Sequence, residues 1–373
     1  MKTKQRLHIN LTHGWKTACA AFLLLLAGCS GQDTPAIDEG EKETLELSDQ
    51  ELRIEIDGWK PLEESRANLF EDESDLKDDS KGGKNFTLYG YIDNEDNTYQ
   101  TYLGGAHAYW FEFIERKEWV FRSGDKEITY YWPQNDAVNF FAYMPYKDYN
   151  GSLEDYVTYN GYTKADGPTF DCNLPLTNED DADQVEFIYA YESEKRKPAI
   201  GEALSLKFKH PFATVSFLLA GGSYRLRVKS ITLGNIHSQG TFSVKYGTWT
   251  PKTTGTGTSS YTASFGTEGI LIPSDVMNYN TIFGGPYLVM PQDLEKVTLN
   301  LVGVRGDNVD IDKTVNMSDL YNLNNEKHIK WDPGKKYTYR ISIGDNNEEI
   351  YFNVEVEDND DWIVSGKTEI SVE

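Results

Sequence analysis

Cys29 has neighbours that dictate a chemistry. It follows Leu26-Ala27-Gly28 and precedes Ser30. Small residues ahead of a cysteine fit the cleft of a lipoprotein signal peptidase, and the thiol is the acceptor for a diacylglyceryl thioether. The lead-in agrees. Lys2, Lys4, Arg6 and Lys16 are basic, no acid occurs before Asp33, and the apolar run 18–27 is far short of the ~20 residues that span a bilayer. Residues 1–28 are therefore expected to be a lipoprotein signal peptide and Cys29 the lipidated residue. Acyl chains contribute ~0.8 kcal/mol per buried CH₂, so a multiply acylated Cys29 would hold the body on a lipid bilayer without spanning it. Acids soon after it (Asp33, Asp38, Glu39) are compatible with export to the cell surface.

The other constellations fall short of a reaction. Of six histidines, His107, His210, His237 and His328 survive signal removal, and none sits in HExxH or beside a cysteine pair. Structural roles are expected for them. Gly366-Lys367-Thr368 suggests a phosphate loop, but Asp361 stands where its first glycine belongs. Asp93-x-Glu95-x-Asn97 opens like a calcium loop, yet Thr98 replaces the required glycine and Gly104 the bidentate glutamate. No G-x-S-x-G elbow occurs. No enzyme, cofactor or metal site is expected.

The elements that would position a site are strands. The 373 residues suit about two domains. With 31 Gly and 24 Tyr, 17 Phe and 8 Trp, the composition favours β-structure with many turns. Net charge is −24, and −28 after loss of the leader's four positive charges, which disfavours nucleic acid and anionic membrane surfaces. Once Cys19 is removed and Cys29 acylated, only Cys172 is free, so no intramolecular disulfide forms.

Residues 29–44 form an acidic tether. Strands are expected at 52–56, 86–92, 109–114, 119–122, 128–132, 138–143, 185–191, 204–208, 214–219, 224–233 and 241–245. More follow at 287–290, 297–304, 336–343, 350–356 and 368–372. A charged loop is expected at 63–84, a long surface loop at 150–183, and a Thr/Gly/Ser-rich domain junction at 248–260. No 3.6-residue pattern of any length is found. The fold class is all-β, as sandwiches.

Several segments resemble one family in the same order along the chain. Tyr131-Trp132-Pro133 followed by 138–146, VNFFAYMPY, resembles the "WP … FFAYYP" signature of the fimbrillins of Bacteroidota. LKFKHPFATV at 206–215, the segment 228–236 ahead of Gly240-Thr241-Phe242, and YLVMPQ at 287–292 are similar to later family segments. So are Trp331-x-Pro333-Gly334-Lys335-x-Tyr337-x-Tyr339 and Val354-x-Val356 ahead of Asp361-Trp362. The resemblance runs from about residue 45 to the end. It implies two transthyretin-like Greek-key β-sandwich domains in tandem, at 45–247 and 248–373. It also implies export as a lipoprotein to the outer membrane and assembly into type V pili.

In such subunits a protease cuts after the first strand, and a strand from a neighbouring subunit fills the exposed groove. Here the resemblance makes Leu52, Ile54 and Ile56 the removable strand and Arg66-Ala67 the processing site, with Arg53 a weaker one inside the strand. The tail 367–373, with Thr368, Ile370 and Val372 on one face, is a candidate donor strand, or it closes its own sheet. The implied partners are other fimbrial subunits and a glycan or protein receptor. A competing function is a surface lipoprotein that binds glycans without polymerising. Aromatic abundance suggests Tyr99, Tyr102, Tyr109 and Trp110 as its platform, with Tyr109 and Trp110 as the contact residues; core packing of the same rings is the alternative.

Overall fold

The computed structural model describes residues 45–56, 84–146, 156–174, 184, 186–221, 226–252, 259–272, 286–306, 309–320, 327, 329–343, 350–358 and 368–371. Residues 1–44, with Cys29, the leader and the tether, lie outside them, as do Arg66, Ala67 and Val372.

Every residue of the strand Val138–Met144, VNFFAYM, is buried. Successive side chains of a strand leave on opposite faces. Phe140, Ala142 and Met144 thus enter one hydrophobic cluster, and Phe141 and Tyr143 another. An uninterrupted apolar run is what a strand covered on both sides requires. It lies in a six-stranded antiparallel sheet ordered Ile188–Lys195, Val138–Met144, Asn85–Asp93, Tyr99–Phe113, Arg116–Ser123, Lys126–Ile128. The long Tyr99–Phe113 strand absorbs a bulge at Gly105, whose φ of +92° suits glycine and whose Cβ would lie 3.2 Å from the Tyr89 ring.

One face of this sheet packs on a four-stranded sheet, ordered Thr248–Pro251, Gln239–Ser243, Gly167–Asn173, Val157–Thr163, around Phe141, Tyr143, Phe170 and Phe242. The other face is closed by short segments. Leu47–Glu51 runs antiparallel to Tyr131–Pro133, and Ile54–Ile56 parallel to Leu204–Leu206.

The C-terminal half contributes two facing five-stranded sheets. One is ordered Tyr287–Val289, Ala213–Gly221, Lys335–Ile343, Ile350–Asp358, Thr368–Ser371. The other runs Ser259–Ser264, Leu226–Ile236, Thr298–Arg305, Asp310–Asn316, with Ile270–Ile272 also beside Leu226–Ile236. Phe217 and Tyr339 from the first sheet share a core with Ile231 and Leu301 from the second, which makes this pair a sandwich. Among the described residues the helical content is one 3₁₀ turn, Met317–Asp319, so the architecture is all-β.

Three expectations need correction. The stretch 150–183 is not one loop: Val157–Thr163 and Gly167–Asn173 pair within it, because Tyr162, Phe170 and Cys172 bury there despite the surrounding acids. The strand expected at 128–132 is two, Lys126–Ile128 and Tyr131–Pro133, in different sheets. A cut between 247 and 248 does not separate the sheets either. Residues 213–236 pair with C-terminal strands, whereas Gln239–Ser243 and Thr248–Pro251 form a hairpin added to the four-stranded N-terminal sheet. The chain thus passes between the two sets of sheets near residues 209–213, 236–239 and 251–259, and Leu45–Glu373 is one compact unit.

Candidate functional site

The N-terminal segment lies between two backbones. On one side the Leu52 N–H donates to Tyr130 O at 2.8 Å and the Gln134 N–H to Glu46 O at 2.8 Å. On the other, the Leu204 N–H donates to Arg53 O at 2.8 Å, where Ile54–Ile56 pairs with Leu204–Leu206. The alternation read from the sequence holds: Leu52 is 4 % and Ile54 8 % exposed, Ile56 is half-buried, and Arg53 and Glu55 are exposed. Leu52 and Ile54 belong to the cluster of Phe86, Trp119, Trp132, Leu204 and Leu206. Taking the segment away would open that cluster and leave the hydrogen-bonding groups at Tyr130, Gln134 and Leu204 without these partners, a costly, pairing-prone edge. Its own alternation marked the segment in the sequence. The receiving elements, 130–134 and 204–206, carry no such mark, because two different neighbours make one slot.

The far end of the chain is also paired. Thr368–Ser371 is the edge strand of its sheet, with Thr368 opposite Val354 and Ile370 opposite Phe352.

The proposed glycan platform does not assemble as expected. Tyr109 and Trp110 are consecutive in one strand and so lie on opposite faces of the sheet. Trp110 packs on the buried cluster, edge-on to Trp119 at 5.5 Å, and Tyr102 packs on the same cluster. Tyr109 carries the Arg122 guanidinium over its ring at 3.7 Å. Tyr99 packs elsewhere, edge-on to Tyr91 and Tyr162.

Many of the aromatic rings pack between the six- and four-stranded sheets, and others fill the two remaining cores. Tyr91 stacks on Tyr162 at 4.3 Å, and its hydroxyl lies 2.7 Å from that of Tyr159. The Tyr162 hydroxyl donates to Asp93 at 2.7 Å. Burial raises the pKa of Tyr89, Tyr91, Tyr159 and Tyr162, and pushes Tyr191 up to about 12. His210 Nδ1 pairs with the Glu186 carboxylate, both buried, and His107 Nε2 lies 2.6 Å from Asn85 Oδ1. Among the described residues no group of three or more His, Cys, Asp or Glu could hold a metal ion, and no helix is long and apolar enough to cross a membrane.

A model of the fimbrillin-like family matches residues 73–358. Among solved structures, a fimbrial protein from Bacteroides vulgatus is 14 % identical with a TM-score of 0.56, over 83 % of this chain and 99 % of that one. A candidate cell adhesion protein from Bacteroides ovatus is 16 % identical with a TM-score of 0.47, over 87 % and 100 % of the two chains. A search of curated proteins gives no match. At such identities the likeness to the Bacteroides vulgatus protein speaks to the fold alone. The family match covers well over half of the sequence, and the chain belongs to the fimbrillin-like family.

Proposed function

We propose that this protein is a structural or adhesive subunit of a cell-surface fimbria, without catalytic activity. It is exported as a lipoprotein on Cys29 and held at the outer membrane. Cleavage at Arg66-Ala67 frees the segment bearing Leu52, Ile54 and Ile56, and a strand from another subunit takes its place. The observation that carries this reading is the N-terminal segment itself, hydrogen-bonded on both sides and closing a core with two buried side chains. Pairing of Thr368–Ser371 with its own sheet supports a tail that closes that sheet rather than one already free to donate.

The test is trypsin treatment of protein beginning at Ser30, followed by N-terminal sequencing and electron microscopy. The expected product begins at Ala67, loses the upstream peptide and forms filaments, alone or with a second subunit. A chain that resists cleavage at Arg66, or that keeps its melting temperature after losing the peptide, overturns the proposal.

A further inference from the structure

Among the described residues the four-stranded sheet covers only part of one face of the six-stranded sheet, and Tyr146 stacks on His107 at 4.0 Å at the edge of the remainder, which has an ordered composition. Along Tyr99–Phe113, the residues His107, Tyr109, Phe111 and Phe113 alternate onto one side, so their attachment points are about 7 Å apart. The register fixes which side. Tyr143, whose ring packs toward the four-stranded sheet, is opposite Thr87, Thr87 opposite His107, and His107 opposite Arg122. The rings therefore continue the covered face beyond its cover. Arg122 lies over Tyr109 at 3.7 Å and Arg116 over Phe111 at 5.0 Å. Arg116 also pairs with Glu118 and Glu127.

The stripe becomes more exposed toward its end, where Phe113 is 64 % exposed. Beyond it, at the hairpin turn, Ile114 is 82 % exposed with φ +42°. A β-branched residue is strained in that region, and no burial compensates it.

We infer that the outer part of this stripe, Tyr109–Phe111–Phe113 with Arg116 and Arg122, binds a neutral saccharide chain. The exposed Phe113 ring suits the C–H face of a pyranose, and the guanidinium groups laid over Tyr109 and Phe111, with the carboxylates beside them, suit hydroxyls. The surface selects among occupants. Charged residues are depleted at the cores of protein interfaces, yet here Glu118 and Arg116 stand directly across the strand pair from Phe111 and Phe113. A polyanion meets both the local carboxylates and a chain of net charge −24. A neutral, hydroxyl-rich polymer meets neither obstacle.

The inference goes beyond the fimbrial reading and is tested on uncut protein beginning at Ser30, so a failure of proteolytic assembly does not bear on it. Native gels cast with hydroxyethyl cellulose, galactomannan or yeast mannan, together with an array of neutral mucin-type oligosaccharides, supply the probes. The expected result is retention by at least one probe, weakened about tenfold or more by Tyr109→Ala and by Phe111→Ala. Tyr246→Ala, at an exposed ring elsewhere, should bind like the parent. Circular dichroism and melting curves establish that the variants are folded; if Phe111→Ala does not fold, Phe111→Leu replaces it, keeping bulk without the ring. Absence of retention by every probe overturns the inference, as does retention that these variants leave intact. A concentration-dependent dimer lost on substituting Phe111 overturns it in favour of a second copy.

Discussion

Ile54→Ala is the sharpest probe of the N-terminal segment. Ile54 is 8 % exposed, in the cluster of Phe86, Trp119 and Trp132, and pairs opposite Leu204. The substitution removes three carbons from a nearly dry site, about 2.4 kcal/mol at ~0.8 kcal/mol per methylene. Incomplete closure of the cavity raises the total to about 3 kcal/mol. At about 2–4 °C per kcal/mol for a unit of this size, melting should fall by roughly 6–12 °C. Backbone pairing is untouched, so the loss reports side-chain burial alone. The assay is thermal melting of intact protein and its variant, before and after trypsin. Intact, the variant should melt lower and, on the proposed processing at Arg66, release its upstream peptide sooner, since the strand is held less firmly. Once the upstream peptide has left, the two proteins have the same sequence and must melt alike. A change below about 0.5 kcal/mol in the intact protein would refute the idea that this segment closes the core, because that is the scale of a surface substitution.

Gly240→Ala should cost about 1–3 kcal/mol in denaturant unfolding, since its Cβ would lie 2.9 Å from Thr250 O and 3.0 Å from Met290 Sδ. Tyr339→Phe removes the acceptor of the Trp331 Nε1–H bond (2.7 Å) in the C-terminal core and should destabilise by about 1–3 kcal/mol, read by the same curves. The buried tyrosines set an alkaline limit. Tyr89, Tyr91, Tyr159, Tyr162 and Tyr191 have raised folded pKa values, to about 12 for Tyr191, against ~10 unfolded. The folded state then holds more protons, so stability is complete below pH ~10 and falls as pH rises from there through the folded values. Ultraviolet titration should show exposed tyrosines ionising first and these only with unfolding; early ionisation of the whole set would contradict their burial.

Strands with a single pattern were legible in the sequence. Asn85–Asp93, Val138–Met144 and Lys335–Ile343 lie within two residues of where alternation or apolar runs place them. The N-terminal segment was legible for the same reason, since Leu52 and Ile54 alternate with Arg53 and Glu55. Asp310–Asn316 was not: it is an edge strand with Ile311 as its one buried residue, and charges that guard an edge look like a loop. The early half of Tyr99–Phe113 was hidden by Gly104-Gly105, which reads as a break but forms a bulge. Tyr109 and Trp110 show what composition leaves out. Counting aromatics finds the rings, but only register says that neighbours face opposite ways and that the exposed row skips every second residue.

The hairpin formed by Gln239–Ser243 and Thr248–Pro251 has a mechanical consequence. Because it leaves the C-terminal sheets, joins an N-terminal one and returns, the described strands are tied by three covalent crossings between the two sets of sheets where a simple tandem arrangement would have one. A pull along the molecule is shared among three tethers in parallel, and one nick between 251 and 259 leaves two intact. Beads on a single linker swing and stretch at the joint. This subunit should instead carry tension as a stiff strut, so that compliance in any fibre built from it would reside where one subunit meets the next.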